Sequence, residues 1–127
     1  MTALGAYVGP ILVVTGAMTV GACAAAAAPA AVLKVLFGAT GLDRLTVLIA
    51  RHWGLLVALV GGLLVYAAYH PEVRLPVMIA AIVEKLAIGA LIFTSPWRSR
   101  PWAALVAGTD TAIALVYIWI LLGGGSP

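Results

Sequence analysis

Residues 45–69 of the chain read LTVLIARHWGLLVALVGGLLVYAAY. It is predominantly apolar, with one arginine and one histidine near its start. An α-helix rises about 1.5 Å per residue and the hydrocarbon core of a bilayer is about 30 Å thick, so about 20 apolar residues cross it. The stretch therefore predicts a transmembrane helix.

The rest of the chain repeats this pattern. Of its 127 residues, 65% are hydrophobic and 9% are charged, whereas soluble domains carry about 25% charged residues. Too few polar residues remain to cover a water-facing surface, so we expect the lipid bilayer to surround the protein. We predict an all-α, four-helix transmembrane bundle that forms a single integral membrane domain over residues 1–127. The predicted spans are residues 5–28, 45–69, 76–94 and 102–122.

The connection between the first two spans is itself mostly apolar. We predict a short interfacial helix from Pro29 to Phe37, with Lys34 reaching toward the lipid head groups. The alternative is that the first span continues, kinked, past Pro29. The sequence VGAC at residues 20–23 resembles a lipoprotein cleavage motif, but no lysine or arginine precedes it. A secretory signal has a basic start, so we expect the first span to stay uncleaved.

The basic residues predict the orientation of the bundle. Lys34, Arg44, Arg98 and Arg100 lie in the first and third connections, whereas the second connection and both termini hold only Arg74. Connections rich in lysine and arginine stay on the cytoplasmic side of a membrane. We therefore predict a protein of the bacterial inner (plasma) membrane with both termini outside.

Four charged residues fall within the predicted spans. At about 1.5 Å per residue from the inner ends, Arg51 lies roughly 9 Å deep, Asp110 roughly 12 Å, and Glu84 and Lys85 roughly 14 Å. These four share about one level and their formal charges cancel. Because an isolated ion at the bilayer centre costs at least about 2.5 kcal/mol, we expect them to form one intramembrane charge cluster.

The helical phase of these charges suggests which faces pack. Arg51 shares a face with Gly54, Ala58 and Gly62, and small residues mark the faces on which membrane helices approach closely. We therefore predict that this glycine and alanine face packs against another helix. His52 shares its face with leucines, so we expect it to look toward lipid, a partner chain or a cofactor.

Three interpretations of the charge cluster stay open. Buried ion pairs can fix which helices neighbour each other. Intramembrane ionisable residues can also form a proton or cation relay, or a polar pocket for a small ligand. Finally, the charges can meet partners on another membrane subunit.

One segment resembles a known group of proteins. Residues 51–85, RHWGLLVALVGGLLVYAAYHPEVRLPVMIAAIVEK, carry an arginine at the start of one span, a glycine-rich middle, a proline-bearing turn and a basic residue inside the next span. In these features the segment is similar to small bacterial four-span membrane proteins of the DoxX-like group. The resemblance covers about a quarter of the chain. It implies a four-helix bundle and no particular activity, cofactor or catalytic residue.

The motifs that the sequence lacks narrow the range of possible functions. We find no catalytic constellation, no metal-ligand spacing and no basic run typical of nucleic-acid binding, so we expect neither an enzyme, a metal site nor a nucleic-acid partner. The primary expectation is an auxiliary or structural subunit of a membrane complex or homo-oligomer. The alternative is an oligomeric proton- or ion-coupled transporter or channel that uses the charge cluster. A further alternative is a haem- or quinone-associated redox subunit that uses His52; the cofactor itself is not indicated by the sequence.

Overall fold

A computed structural model describes residues 3–123, and every regular element in that range is helical. Four segments are long and apolar enough to cross a membrane: Ala6–Ala27, Arg44–Tyr69, Pro71–Phe93 and Pro101–Leu121. The prediction of an all-α bundle with four spans is confirmed. The helices are α1 (Ala3–Val20), α2 (Cys23–Ala27), α3 (Pro29–Phe37), α4 (Arg44–Tyr69), α5 (Arg74–Phe93) and α6 (Pro101–Leu121), with 3₁₀ turns at Pro71–Val73 and Pro96–Ser99.

The first span is bent, which the sequence pattern did not predict. After Val20 the backbone tightens, because the amide of Gly21 bonds to the carbonyl of Met18, three residues back, at 3.1 Å. The chain then resumes as α2, which packs against α4. At Ala28 the backbone leaves the helical region (φ −138°, ψ 67°), and Pro29 opens α3. The separate helix therefore has its predicted bounds, and the kinked continuation of the first span does not occur.

Short connections hold the other helices in place. The carboxylate of Asp43 accepts a hydrogen bond from the amide of Thr46 at 2.8 Å and so caps the start of α4. Arg74 joins the end of α4 to the start of α5, since its guanidinium donates to the carbonyls of Ala67 (2.9 Å) and Ala68 (2.7 Å). Because α5 begins at Arg74, Pro76 lies within its first turn, where a missing amide hydrogen costs little.

The helices pack in the order α1, α4, α5, α6, with the closest associations between α1 and α4 and between α5 and α6. The contact between α1 and α6, which would close the ring, is much less extensive. The core contains fully buried Leu12, Leu64, Met78 and Tyr117. Many large apolar side chains lie on the outside of the bundle, as expected for helices that face lipid.

The glycines of α4 agree only in part with the packing face that the sequence predicts. Gly54 packs as expected: a Cβ atom added there would lie 2.7 Å from the Cβ of Ala25 in α2. Ala58 is half-buried. Gly62, in contrast, is exposed and has open space beyond it, whereas the neighbouring Gly61 is buried against α1. The close helix contact therefore uses Gly61, and the prediction for Gly62 is wrong.

Candidate functional site

Lys85 is the centre of a polar cluster inside the bundle. It lies near the middle of α5 and only 1% of its surface is exposed. Its ammonium donates to the hydroxyl of Thr19 in α1 at 2.9 Å and to a carboxylate oxygen of Asp110 in α6 at 3.1 Å. One buried cation thus connects three helices. An ion pair of this kind contributes little net stability, but removal of one partner is costly.

Glu84 also belongs to the cluster, but its side chain points in a different direction from that of Lys85. Consecutive residues of an α-helix point about 100° apart, so Glu84 and Lys85 cannot both face the core. Lys85 takes the core side, and Glu84 lies at its edge with 20% of its side chain exposed. The Oε2 atom of Glu84 is 3.8 Å from the Lys85 ammonium and is buried. Within residues 3–123, nothing donates a hydrogen bond to this oxygen.

Hydroxyl groups that the sequence analysis missed extend the cluster along α1. Thr19 donates to the carbonyl of Thr15 at 2.7 Å, and Thr15 donates to the carbonyl of Ile11 at 2.6 Å. The hydroxyls of Thr15 and Tyr117 also form a hydrogen bond. Since the Thr15 proton is directed to Ile11, Tyr117 is the donor. The available signal was the spacing of two threonines four residues apart in an apolar helix, because polar side chains often join membrane helices.

Arg51 does not belong to this cluster. Its side chain is exposed and donates to the carbonyl of Ala26 at 2.9 Å. This carbonyl lies in the last turn of α2, where the chain turns into α3 and the backbone no longer supplies a helical partner. A cation also interacts favourably with the C-terminal end of a helix dipole. Arg51 therefore caps α2, which explains why it does not pair with the other three charges.

The absence of Arg51 changes the charge balance of the cluster. In the described part of the chain, the ion pairs of Glu84 and Asp110 involve Lys85 alone. When all three groups are ionised, the cluster carries a net charge of −1. An uncompensated charge inside a bilayer costs at least about 2.5 kcal/mol. One proton or one monovalent cation would remove this cost.

Glu84 and Asp110 are among the residues that line a cavity of about 370 Å³. All six helices contribute residues to its lining. The lining is mostly apolar and includes two tryptophans. Its apolar residues include Met18, Trp53, Trp102, Leu105 and Val106. A concave apolar space with a few convergent polar groups is the usual form of a small-molecule site.

The remaining predicted residues lie elsewhere. His52 is exposed on α4, on the same face as exposed Leu55, Leu56 and Leu59, so its position is that of a residue facing lipid or a partner. Cys23 is exposed on α2. Among residues 3–123, no three histidine, cysteine or acidic side chains come together as metal ligands would.

Comparisons with protein-family models, with curated proteins and with solved structures find no match to this chain. The resemblance of residues 51–85 to the DoxX-like group stays a prediction.

Proposed function

We propose that this protein is a proton- or cation-coupled membrane transporter whose coupling site is the cluster of Glu84, Lys85 and Asp110. The observation that carries this proposal is the charge balance: two carboxylates share one buried ammonium, and Arg51 lies elsewhere. A cluster that served only to hold helices together would be expected to cancel its own charge. A cluster one positive charge short can instead bind and release a proton or a small cation.

The depth of the site supports the same proposal. Glu84 lies nine residues from Phe93, where α5 ends, which is about 14 Å along the helix and near the middle of a hydrocarbon core of about 30 Å. A carboxylate at that level lies about equally far from both aqueous sides. Coupling sites of membrane transporters commonly lie near this midplane.

Reconstitution tests the proposal. The purified protein in lipid vesicles should show flux of protons, Na⁺ or K⁺ when a gradient of that ion is applied, followed with an internal dye that responds to that ion. Glu84→Gln should abolish the flux because the side chain can no longer exchange a charge. Glu72→Gln is the matched control, since Glu72 is exposed in the turn between α4 and α5 and far from the cluster in sequence. Correctly folded wild-type protein that moves none of these ions would count against the proposal.

A second candidate is an auxiliary or structural subunit of a membrane complex or homo-oligomer. It is favoured by the short connections: residues 38–43, 70–73 and 94–100 are the only parts of the described chain between α3 and the end of α6 that lie outside α-helices. Little surface is left for a separate water-facing activity. Extraction in mild detergent followed by mass measurement would find copies or partners bound to the chain, whereas a solitary monomer would argue against this candidate.

We further propose that the protein resides in the bacterial inner membrane with both termini outside, on the basis of the distribution of basic residues. Cysteine labelling tests this orientation. In a Cys23→Ser background, Glu72→Cys should react with an impermeant maleimide in intact spheroplasts, and Thr40→Cys should react only after permeabilisation. Both positions are exposed. The reverse pattern would invert the assignment.

A further inference from the structure

We infer that the cavity binds a lipophilic amine in its protonated form, with the ammonium at Glu84 and the apolar body against the cavity walls. This inference rests on the proposed function, because it names the substrate class of the same site. Glu84 lines the cavity, 20% of its side chain is exposed, and its buried Oε2 atom has no hydrogen-bond donor within residues 3–123. An ammonium placed against the exposed part of this side chain would supply the positive charge that the cluster lacks.

The cluster selects against other charged ligands. An anion would need a free donor, but the Lys85 ammonium is 1% exposed and already bonds to Thr19 and Asp110. Two carboxylates among the lining residues would also repel it. A strongly hydrated inorganic cation would neutralise the negative charge of the cluster but would leave the apolar part of the cavity unfilled. An organic cation satisfies both parts of the site.

The walls of the cavity suit an apolar body of moderate size. About 370 Å³ is within the range of pockets that hold small organic molecules. Trp53 and Trp102 provide aromatic faces, while Val106 contributes aliphatic surface. These rings offer a large apolar surface to the body of the ligand. The ligand class is therefore a compact hydrophobic or aromatic skeleton that carries one amine.

The opening of the cavity indicates how such a ligand enters. The α1–α6 contact is limited, and the side chains of Met18 in α1 and Leu105 in α6 line the cavity while remaining 54% and 56% exposed. In a lipid-embedded bundle this side faces hydrocarbon, so a ligand dissolved in the membrane reaches the cavity laterally. Membrane lipids themselves are a poorer fit for the polar end, because their charged head groups stay at the interface, about 14 Å from the level of Glu84.

Charge balance at the site sets how many protons leave when one amine binds. If Glu84 holds a proton in the empty site, the protonated amine binds as that proton leaves, and the net charge of the site stays unchanged. Release of the amine then requires a proton to return to the carboxylate. One proton therefore exchanges for one organic cation.

Binding of imipramine, a lipophilic tertiary amine, to the purified full-length protein in lipid nanodiscs tests the inference. Iminodibenzyl, which has the same tricyclic body without the basic side-chain amine, is the neutral comparison. Equilibrium dialysis should show that imipramine binds at least tenfold more tightly than iminodibenzyl. Glu84→Gln should weaken imipramine binding about 10- to 100-fold, the usual range for loss of a hydrogen bond to a charged group. Glu72→Gln should leave the affinity unchanged.

A second variant and a second readout keep the test decisive if Glu84→Gln folds poorly. Val106→Phe narrows the cavity without changing its charge and should weaken imipramine binding at least tenfold. Calorimetric titration of the protein with imipramine, in buffers of different ionisation enthalpy, should show that one proton is released for each amine bound. Equal affinity for imipramine and iminodibenzyl, or unchanged affinity in correctly folded Glu84→Gln and Val106→Phe, would overturn the inference.

The two proposals fail in different ways. Ion flux in vesicles without binding of imipramine would refute the ligand class and leave coupled transport standing. Glu84-dependent binding of imipramine without proton flux, in vesicles to which an imipramine gradient is also applied, would support the ligand class and refute transport.

Discussion

Replacement of Gly61 by alanine should separate α1 from α4 and destabilise the bundle. The added Cβ would lie 2.5 Å from the amide nitrogen of Val20, 2.7 Å from the carbonyl oxygen of Gly16 and 2.9 Å from the carbonyl carbon of Thr19. All three are backbone atoms of α1, so no side chain can rotate away. Restoring an ordinary contact of 3.4 Å requires α1 to move by about 0.9 Å.

The neighbouring glycine supplies a matched control. Gly62→Ala adds the same methyl group one residue along the same helix, but nothing lies within 4 Å of its Cβ position. Overpacking costs about 1–3 kcal/mol, whereas alanine stabilises a helix by about 0.5–1 kcal/mol relative to glycine. Both variants gain the same helix propensity, so the difference between them is the overpacking cost. We therefore expect Gly61→Ala to be destabilised and Gly62→Ala to be equal to or more stable than wild type, with about 1–3 kcal/mol between them.

Titration of dodecylmaltoside micelles with sodium dodecyl sulfate measures this difference. Far-ultraviolet circular dichroism and tryptophan fluorescence follow unfolding, and the two variants are compared by their midpoints. The midpoint of Gly61→Ala should fall and that of Gly62→Ala should not. Equal midpoints, or a lower midpoint for Gly62→Ala, would refute the assignment of the helix contact to Gly61.

Three further predictions concern polar groups. Lys85→Met should destabilise the protein by about 3–5 kcal/mol, because it leaves buried carboxylates without their cation. Arg51→Met should cost about 1 kcal/mol or less, because the Arg51 side chain is exposed. Equal shifts of the two midpoints in the same detergent titration would contradict the assignment of Lys85, and not Arg51, to the cluster. Tyr117→Phe should lose about 0.5–1.5 kcal/mol, the usual contribution of one hydrogen bond, in that titration. The side chain and the amide of Thr46 both lower the pKa of Asp43 by hydrogen bonding to its carboxylate. The capping stability is therefore fully present above the ordinary pKa of 3.8 and is lost as pH falls through the lowered value. Amide exchange protection at Thr46 should decrease over that range, and Asp43→Asn should remove this dependence.

The four spans could be predicted because the hydropathy of about 20 consecutive residues depends on the sequence alone and not on contacts between distant residues. The bounds of α3 were also readable, since Pro29 opens the helix and Gly38, at φ 67°, ends it in the left-handed conformation that glycine favours. The bend at Gly21 was not predictable in this way. It depends on how α2 packs onto Gly54 of α4, which is a contact between distant parts of the chain.

The error at Gly62 has a geometrical cause. The predicted face was anchored on Arg51, on the assumption that this arginine faces the core. Eleven residues advance an ideal helix to within about 20° of the starting direction, which selects Gly62. Anchored instead on Gly54, the same rule over seven residues selects Gly61, also within about 20°. Arg51 caps α2 from an exposed position, so it was the wrong reference for the packing face.

Part of the site was predictable and part was not. Depth and charge placed Glu84, Lys85 and Asp110 at one level, and the structure brings these three together. The hydroxyl of Thr19 gave no comparable signal, because a threonine in a helix can satisfy its own donor on the carbonyl four residues earlier, as this one does. Only the fold reveals that its lone pairs also accept a hydrogen bond from Lys85.

The adjacency of Glu84 and Lys85 links the stability of the bundle to its proposed function. Two neighbouring residues on one helix must diverge by about 100°, so one charge takes the core and the other the edge. With lysine in the core, the cation is fixed by Thr19 and Asp110, and the carboxylate left at the edge meets the cavity. The opposite order would bury a carboxylate beside Asp110 and direct an ammonium to the cavity, which would suit an anion. The order of these two residues would thus determine the sign of the charge on the proposed ligand.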